Sequence, residues 1–348
     1  MIKIGKVIIS KNVKPKLISE ISGNHDGKLD LAIKLIKKSA KNGSDIIKLQ
    51  TYEADSLTLN CNRRDFIINE NKSIWKKQSL YKLYKKGETK KHWHKIIFDE
   101  CKKLNIECFS SIFDEKDIEF LENLKTPAYK ISSFESNHLP LIEKLILTKK
   151  PILISTGLDS LKNLNELKAL FIKKNYNKYS FLKCTSLYPA RLEYLNLITI
   201  KDMIKRFDCE IGYSDHSVGY TAGMGAVYFG ASYIEKHVCL NNTTGIDSKF
   251  SHKVDDLKNF KNLLEEAFES KGEITYKKNK DERLNLKYKR SIYAVKRIKK
   301  GDKFSNLNVR IIRPGFGLEP KYLKKIIGKK SNGSIQFGHP IQKKHYIK

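Results

Sequence analysis

Short apolar runs recur along this chain, and each ends in polar residues. Leu17-Ile18 runs into Ser19-Glu20, Ile46-Ile47 into Lys48-Leu49-Gln50, and Cys108-Phe109 into Ser110-Ser111. Ala128-Tyr129 gives way to Lys130-Ile131-Ser132-Ser133, Ile152-Leu153-Ile154 to Ser155-Thr156, and Phe181-Leu182 to Lys183-Cys184-Thr185-Ser186. Ile211-Gly212-Tyr213 leads to Ser214-Asp215-His216, and Tyr233-Ile234 to Glu235-Lys236-His237. Apolar residues at helical spacing follow each run. Such a series predicts an α/β fold, an eight-stranded (β/α)8 TIM barrel, whose strand C-termini converge on the face that carries chemistry.

The first helix is expected from Asp30 to Ala40, stopped by Asn42-Gly43, and others over 92–104, 115–124, 138–148, 160–174, 199–207, 219–230 and 255–270. The stretch 51–91 is too long and polar for a simple loop. It holds Asn60, Asn62, Asn69, Asn71, Trp75 and Leu80-Tyr81-Lys82-Leu83-Tyr84, and it predicts a lid or specificity element on the active face. Around 271–286 the pattern turns charged and poor in apolar residues. Strands over 291–295, 309–313 and 335–341 then predict a small β-rich domain, near the lower size limit for standing alone. The expected division is a barrel over 1–275, a linker over 276–288 and the β-rich domain over 289–348.

The 348 residues are 40% hydrophobic and 30% charged, with no run of the roughly 20 apolar residues that a membrane span needs. Lysines break up residues 1–16, which leaves no signal-peptide core, and the six cysteines include no C-x-x-C pair. A cytoplasmic protein with reduced thiols is expected, with no membrane partner. The net charge of +30 raises the question of nucleic acid, but the lysines are scattered and no nucleic-acid motif accompanies them. The charge is read as a solvated surface that draws in an anionic small substrate. A non-catalytic polyanion binder is the reading from a different class, with the charge as its only support.

His216 and His237 stand at the ends of consecutive strands, where both imidazoles would reach one rim. They are either structural or ligands of an exchangeable divalent ion, manganese or magnesium rather than structural zinc. Lys48 and Lys130 are Schiff-base amines, anchors for a phosphate or carboxylate, or partners of Glu20 and Glu135 in a structural network. Ser111, Ser133, Ser155, Ser186 and Ser214 supply oxyanion donors. Glu20, Glu135, Asp215 and Asp247 supply carboxylates whose roles spacing does not assign. Ser22-Gly23-Asn24-His25-Asp26-Gly27 is a tight loop whose Asn24 amide suits a ligand contact. His92 and His94 are expected on a solvated helix N-terminus, with no metal. Arg313 is a surface charge or an anion clamp.

Several of these stretches carry a family resemblance. Ser19 to Gly27, Ile47-Lys48-Leu49-Gln50-Thr51-Tyr52, Pro127 to Glu135 and Ile154-Ser155-Thr156-Gly157 resemble the sialic acid synthase family. So do Lys183 to Pro189, Gly212 to His216 and Ile234 to His237, while Ile298 to Gly301 with Arg313 to Gly317 is similar to that family's antifreeze-like SAF domain. Leu80 to Tyr84, His92-Trp93-His94 and Ser132-Ser133-Phe134-Glu135 are most like its pseudaminic acid branch; the N-acetylneuraminate and legionaminic acid branches are the alternatives.

The resemblance implies condensation of phosphoenolpyruvate with an open-chain acetamido sugar. It gives His216 and His237 a divalent metal, manganese or magnesium with cobalt as a further candidate. Lys48, Lys130, Ser111, Ser133, Ser155, Ser186 and Ser214 would cradle phosphoenolpyruvate, and Glu20, Gln50, Tyr188 and Asp247 would meet the sugar. Arg313 would complete the partner's site in a domain-swapped homodimer. The sequence departs from the family at Ile112 and Ile246, where proline is usual, and at Ser19, where alanine is.

Overall fold

A computed structural model describes residues 1–69, 74–243 and 245–346. The chain divides into two compact units, Met1–Gly272 and Glu273–Lys348. Among the described residues no helix is long and apolar enough to cross a membrane.

The first unit opens with a hairpin, β1 (Ile2–Ile4) and β2 (Val7–Ile9). Eight parallel strands follow: β3 (Lys16–Glu20), β4 (Ile46–Thr51), β5 (Glu107–Ile112), β6 (Tyr129–Ile131), β7 (Ile152–Ser155), β8 (Tyr179–Cys184), β9 (Glu210–Asp215) and β10 (Tyr233–Cys239). Because β10 pairs with both β9 and β3, the sheet closes into a barrel, as expected. A two-residue strand, β11 (His252–Lys253), extends β10 on its outer edge.

Helices Leu29–Lys41, Lys91–Lys103, Asp117–Asn123, Leu139–Leu147, Leu161–Lys173, Thr199–Arg206, Thr221–Tyr228 and Leu257–Lys271 surround it, each within a few residues of the helix expected from spacing. Local signals set their ends. The Ser160 hydroxyl accepts from the Asn163 N–H, and the His138 ring accepts from the Leu141 N–H.

Alternation along the strands sends side chains to two different cores. Leu17, Ile47, Ile154, Ile211, Ile234 and Val238 face the helices. Ile18, Ile46, Phe109, Leu153, Leu182 and Tyr233 meet inside the barrel. Ile2, Ile4 and Ile9 of the hairpin join that inner group and plug the barrel's N-terminal end. Sequence reading took the N-terminus only as lysine-broken. Lys3 takes the exposed position of β1 and Lys6 the turn, and strands of three residues are too short for periodicity to register.

The stretch 51–91 folds as a helix at Ala54–Leu57, a single turn at Arg64–Phe66 and a helix at Leu80–Gly87, with Ile67 bridged to Ser79. Asn71 falls outside the described residues. The helix Lys91–Lys103 corrects one expectation. His92 is exposed, but His94 is buried, its ring 2.8 Å from the Thr51 hydroxyl and edge-on to Phe120. The polar neighbours of His94 suggested solvent, yet its place on the helix faces the sheet.

The second unit pairs β12 (Ser291–Ala294) with β13 (Val309–Ile312) around a core of Ile292, Ile298, Phe304, Val309, Ile326, Ile335 and Ile341. No strand forms over 335–341. Ile335 and Pro340 make isolated bridges to Ile298 and Tyr293, because Gly338 takes a positive φ and Pro340 has no N–H to give. The stretch expected to be a plain linker contains a helix, Lys280–Leu284, whose N-terminus Asn279 caps by accepting from the Glu282 N–H at 2.8 Å.

Candidate active site at the barrel mouth

Strand register brings the inward-facing polar groups to adjacent heights. Glu20 is the lateral partner of both Lys48 and His237, Ser111 of both Gln50 and Lys130, and Glu235 of Ser214. The Lys48 ammonium lies 2.6 Å from Glu20 and 2.8 Å from Glu235. Lys130 donates to the Ser155 hydroxyl at 2.7 Å and stands 3.8 Å from Glu235. Ser214 donates to the same Glu235 oxygen at 3.2 Å. Two ammonium groups and two carboxylates thus share one buried cluster.

Burial by itself would raise the Glu235 carboxyl, but Lys130 and Lys48 overcome it and hold it down at about 2. Burial pulls Lys48 the other way, down to about 7, against the Glu235 charge that supports its proton. Lys130 pairs with Glu235, not with Glu135 as one sequence reading had it. The Glu135 carboxyl instead accepts from the Ser132 hydroxyl, and burial raises its pKa.

Beside this cluster the Ser133 hydroxyl accepts from the Gly157 N–H at 3.1 Å, and the buried Ser186 hydroxyl has no hydrogen-bond partner among the described residues. A Cβ at Gly157 would come within 2.3 Å of the Ser186 oxygen, so only glycine lets that backbone lie against both serines.

The histidines occupy the next position along their strands. The rings of His216 and His237 are centred 5.3 Å apart, and Asp247 Oδ2 lies 3.7 Å from His237 Nδ1. His216 turns Nδ1 to the Thr185 carbonyl at 3.1 Å, which leaves Nε2 as its open nitrogen. His237 Nδ1 is buried without a hydrogen bond among the described residues, and burial drives its proton affinity well down, so a lone pair is available. Burial lifts the Asp247 carboxyl to about 6, against the hydrogen bond from Ser22. Cys184 Sγ stands 3.8 Å from His216 Nδ1; burial opposes ionisation, but the imidazole prevails and lowers the thiol to about 7. Among the described residues no group of three or more His, Cys, Asp or Glu is already drawn together around a point. Two imidazoles with a neighbouring carboxylate still suit an ion that completes its shell with water and substrate oxygen.

Above the histidines runs an aromatic wall. The Tyr188 ring is tilted against His216 at 4.4 Å and lies 5.2 Å from Phe250, and Trp75 approaches Tyr188 at 5.7 Å. The Trp75 N–H donates to the Ile246 carbonyl at 3.2 Å, so the long stretch after β4 is fastened to the loop after β10. Ile246 itself seats against Gly23, where a Cβ would lie 2.8 Å from both the Ile246 side chain and the Gly87 backbone.

Several expected site residues do other work. The Asn24 amide is spent on the protein: it donates to the Val238 carbonyl and the Ser251 hydroxyl, both at 2.8 Å, and accepts from the Asp247 N–H at 3.1 Å. Gln50 reaches the Ser22 hydroxyl at 3.4 Å. Asp215 points away from the site and pairs with Lys236. Arg313 belongs to the second unit and is exposed there. Glu235, at the centre of the cluster, was passed over as a site residue in the sequence. Its signal was the two-residue spacing from His237, which puts both on the inner face of β10.

The NeuB family pattern matches residues 35–276, and the SAF domain pattern matches 289–347. The chain belongs to the NeuB family. Among NeuB-type relatives, the pseudaminic acid synthase of Campylobacter jejuni is 40% identical over 331 residues, 95% of this chain and 96% of that one. The N,N'-diacetyllegionaminic acid synthase of the same species is 31% identical over 321 residues, 91% of this chain and 95% of that one. The structure of N-acetylneuraminic acid synthetase from Leptospira borgpetersenii, in complex with citrate, superposes with a TM-score of 0.73 at 26% identity, covering 82% of this chain and 94% of that chain.

Proposed function

We propose that this NeuB-family chain is a pseudaminic acid synthase, condensing phosphoenolpyruvate with 2,4-diacetamido-2,4,6-trideoxy-L-altrose to give pseudaminic acid and phosphate. Identity of 40% to the Campylobacter jejuni enzyme across nearly the whole length carries the reading. The site supports it. Lys48, Lys130 and the hydroxyls of Ser111, Ser133, Ser155, Ser186 and Ser214 line a cradle for a phosphate and a carboxylate. Trp75, Tyr188 and Phe250 offer an apolar wall to the methyl groups of a 6-deoxy, diacetamido sugar.

In the reaction, C3 of phosphoenolpyruvate bonds to the aldehyde carbon, water adds at C2, and phosphate leaves that carbon. His216 and His237, with Asp247 beside them, would hold a divalent ion, manganese or magnesium, that polarises the aldehyde as a Lewis acid. Lys48 and Lys130 bind the anion and hold C3 toward the histidines. Glu20 and Glu235 flank the Lys48 ammonium, at 2.6 and 2.8 Å, and Glu235 supports its proton against burial. Burial beneath the aromatic wall limits other water. Arg313 of a partner chain would contact the bound anion in a domain-swapped homodimer, and the enzyme would work in the cytoplasm.

The test is phosphate release by the purified chain with phosphoenolpyruvate and Mn²⁺ against three acceptors: the altrose-configured diacetamido sugar, its mannose-configured isomer and N-acetylmannosamine. Mass spectrometry identifies each product. Turnover with the first alone is expected. Turnover with only another acceptor overturns the assigned sugar, and none with any overturns the activity.

A further inference from the structure

A second buried ion pair lies on the outer side of the strands that carry the two histidines, and the proposed chemistry does not use it. Asp215 and Lys236 are direct lateral partners in the β9–β10 ladder. They are 0% and 1% exposed, and their charged groups lie 2.7 Å apart. Lys236 Nζ also donates to the Ser217 carbonyl at 2.5 Å. Asp215 Oδ1 accepts from the Ser217 N–H at 2.9 Å and from its hydroxyl at 2.7 Å. Phe260, on the helix Leu257–Lys271, covers the ammonium at 5.9 Å from its ring centre.

The order of these residues along the chain matters. Asp215 and Ser217 flank His216, and Lys236 immediately precedes His237. Strand alternation turns the ion pair outward where the histidines turn inward. The pair therefore grips the backbone on both sides of His216 and ties it to the residue before His237. Taking two ions out of water costs several kcal/mol each, and apolar residues of similar volume generally hold a fold as well. What apolar residues lack is direction. Three hydrogen bonds to Ser217 and one ion pair fix how far apart the two strand ends stand.

We propose that the Asp215–Lys236 pair is a positioning clamp that sets the separation of the His216 and His237 imidazoles for a divalent cation. The proposal rests on the assignment of those two histidines to the cation.

The experiment compares Mn²⁺ binding, read by electron paramagnetic resonance of the free ion, with urea unfolding of the metal-free full-length chain. In D215L/K236M the unfolding midpoint should stay close to that of the parent, while the Mn²⁺ Kd rises about 10- to 100-fold, the range seen when groups supporting metal ligands are removed. S217A, which deletes a single hydroxyl donor, should weaken Mn²⁺ several-fold with no change in unfolding. It keeps the test decisive if the double variant does not fold. Unchanged Mn²⁺ affinity in the folded variants overturns the clamp. The His216→Ala control separates the two assignments. If it binds Mn²⁺ as tightly as the parent, the cation assignment fails and the clamp with it; if it alone weakens binding, only the clamp is wrong.

Discussion

One Glu235 carboxylate oxygen lies 2.8 Å from the Lys48 ammonium, with both side chains almost sealed from water. Glu235 thus occupies the position that an incoming anion must win. Glu235→Gln should lower the KM for phosphoenolpyruvate, since the competing charge is gone, and lower kcat, since the ammonium groups lose the partner they return to. Metal-free stability should fall, but by less than the roughly 3–5 kcal/mol of a fully unpaired buried ion, because Lys48 keeps Glu20. Steady-state kinetics and urea unfolding read both effects. An unchanged KM and kcat would remove Glu235 from the site.

Among the described residues, His237 contributes a buried nitrogen with no hydrogen bond to lose. His237→Ala should therefore leave the far-ultraviolet circular dichroism intact while reducing turnover about a hundred- to a thousandfold, the scale of a lost electrostatic contact in a transition state. Most of the activity surviving would sink its assignment.

Arg313→Ala should raise the KM for phosphoenolpyruvate or lower kcat. Mixed with His237→Ala chains, it should regain part of the activity, because a hybrid dimer would contain one complete site. No complementation would rule out sharing across the dimer.

His25 and His94 are both buried, and burial pushes each down to about 4. In the unfolded chain they titrate near 6.5, so the unfolded state takes up protons first as pH falls. Their contribution is fully present above about pH 6.5 and is lost on the way to pH 4. Between pH 7 and pH 5 it amounts to about 2 kcal/mol for each histidine. His94→Gln should flatten that part of the stability profile, measured by urea unfolding at each pH. A profile as steep as the parent's would exclude the ring.

Ile4 is fully buried in the plug beneath the barrel. Ile4→Ala should cost about 2–5 kcal/mol of unfolding free energy, with little effect on the KM values. A cost under about 1 kcal/mol would mean that the hairpin is a loose cover.

The barrel was legible in the sequence because its strands are buried on both sides and end abruptly in polar groups. Those ends also named Glu20, Lys48, Lys130, Ser155, Ser214, His216 and His237, which the fold brings to one face. Less visible was anything decided by which side of an element a residue faces. Asp215 is adjacent to His216 and so takes the outer parity, whereas Glu235, two residues from His237, shares its inner one. His94 was misplaced for a similar reason, since its neighbours are polar while its own position faces the sheet. Ile335 to Ile341 has the composition of a strand, but Gly338 and Pro340 interrupt the hydrogen-bond ladder. Asn24 had the right chemistry for a ligand contact, but the fold brings Val238, Ser251 and Asp247 to its amide from the far end of the barrel sequence.

The isoleucine hairpin closes the N-terminal end of the barrel, opposite the mouth that carries the polar groups. Lys48 is level with Phe109, and Lys130 with Leu153, both residues of the sealed floor. The histidines and the aromatic wall stand between that floor and solvent. If the proposed anion binds at that floor and the sugar above it, the anion should go in before the sugar. The order would then follow from the stopper at the far end, a hairpin running only from Ile2 to Ile9.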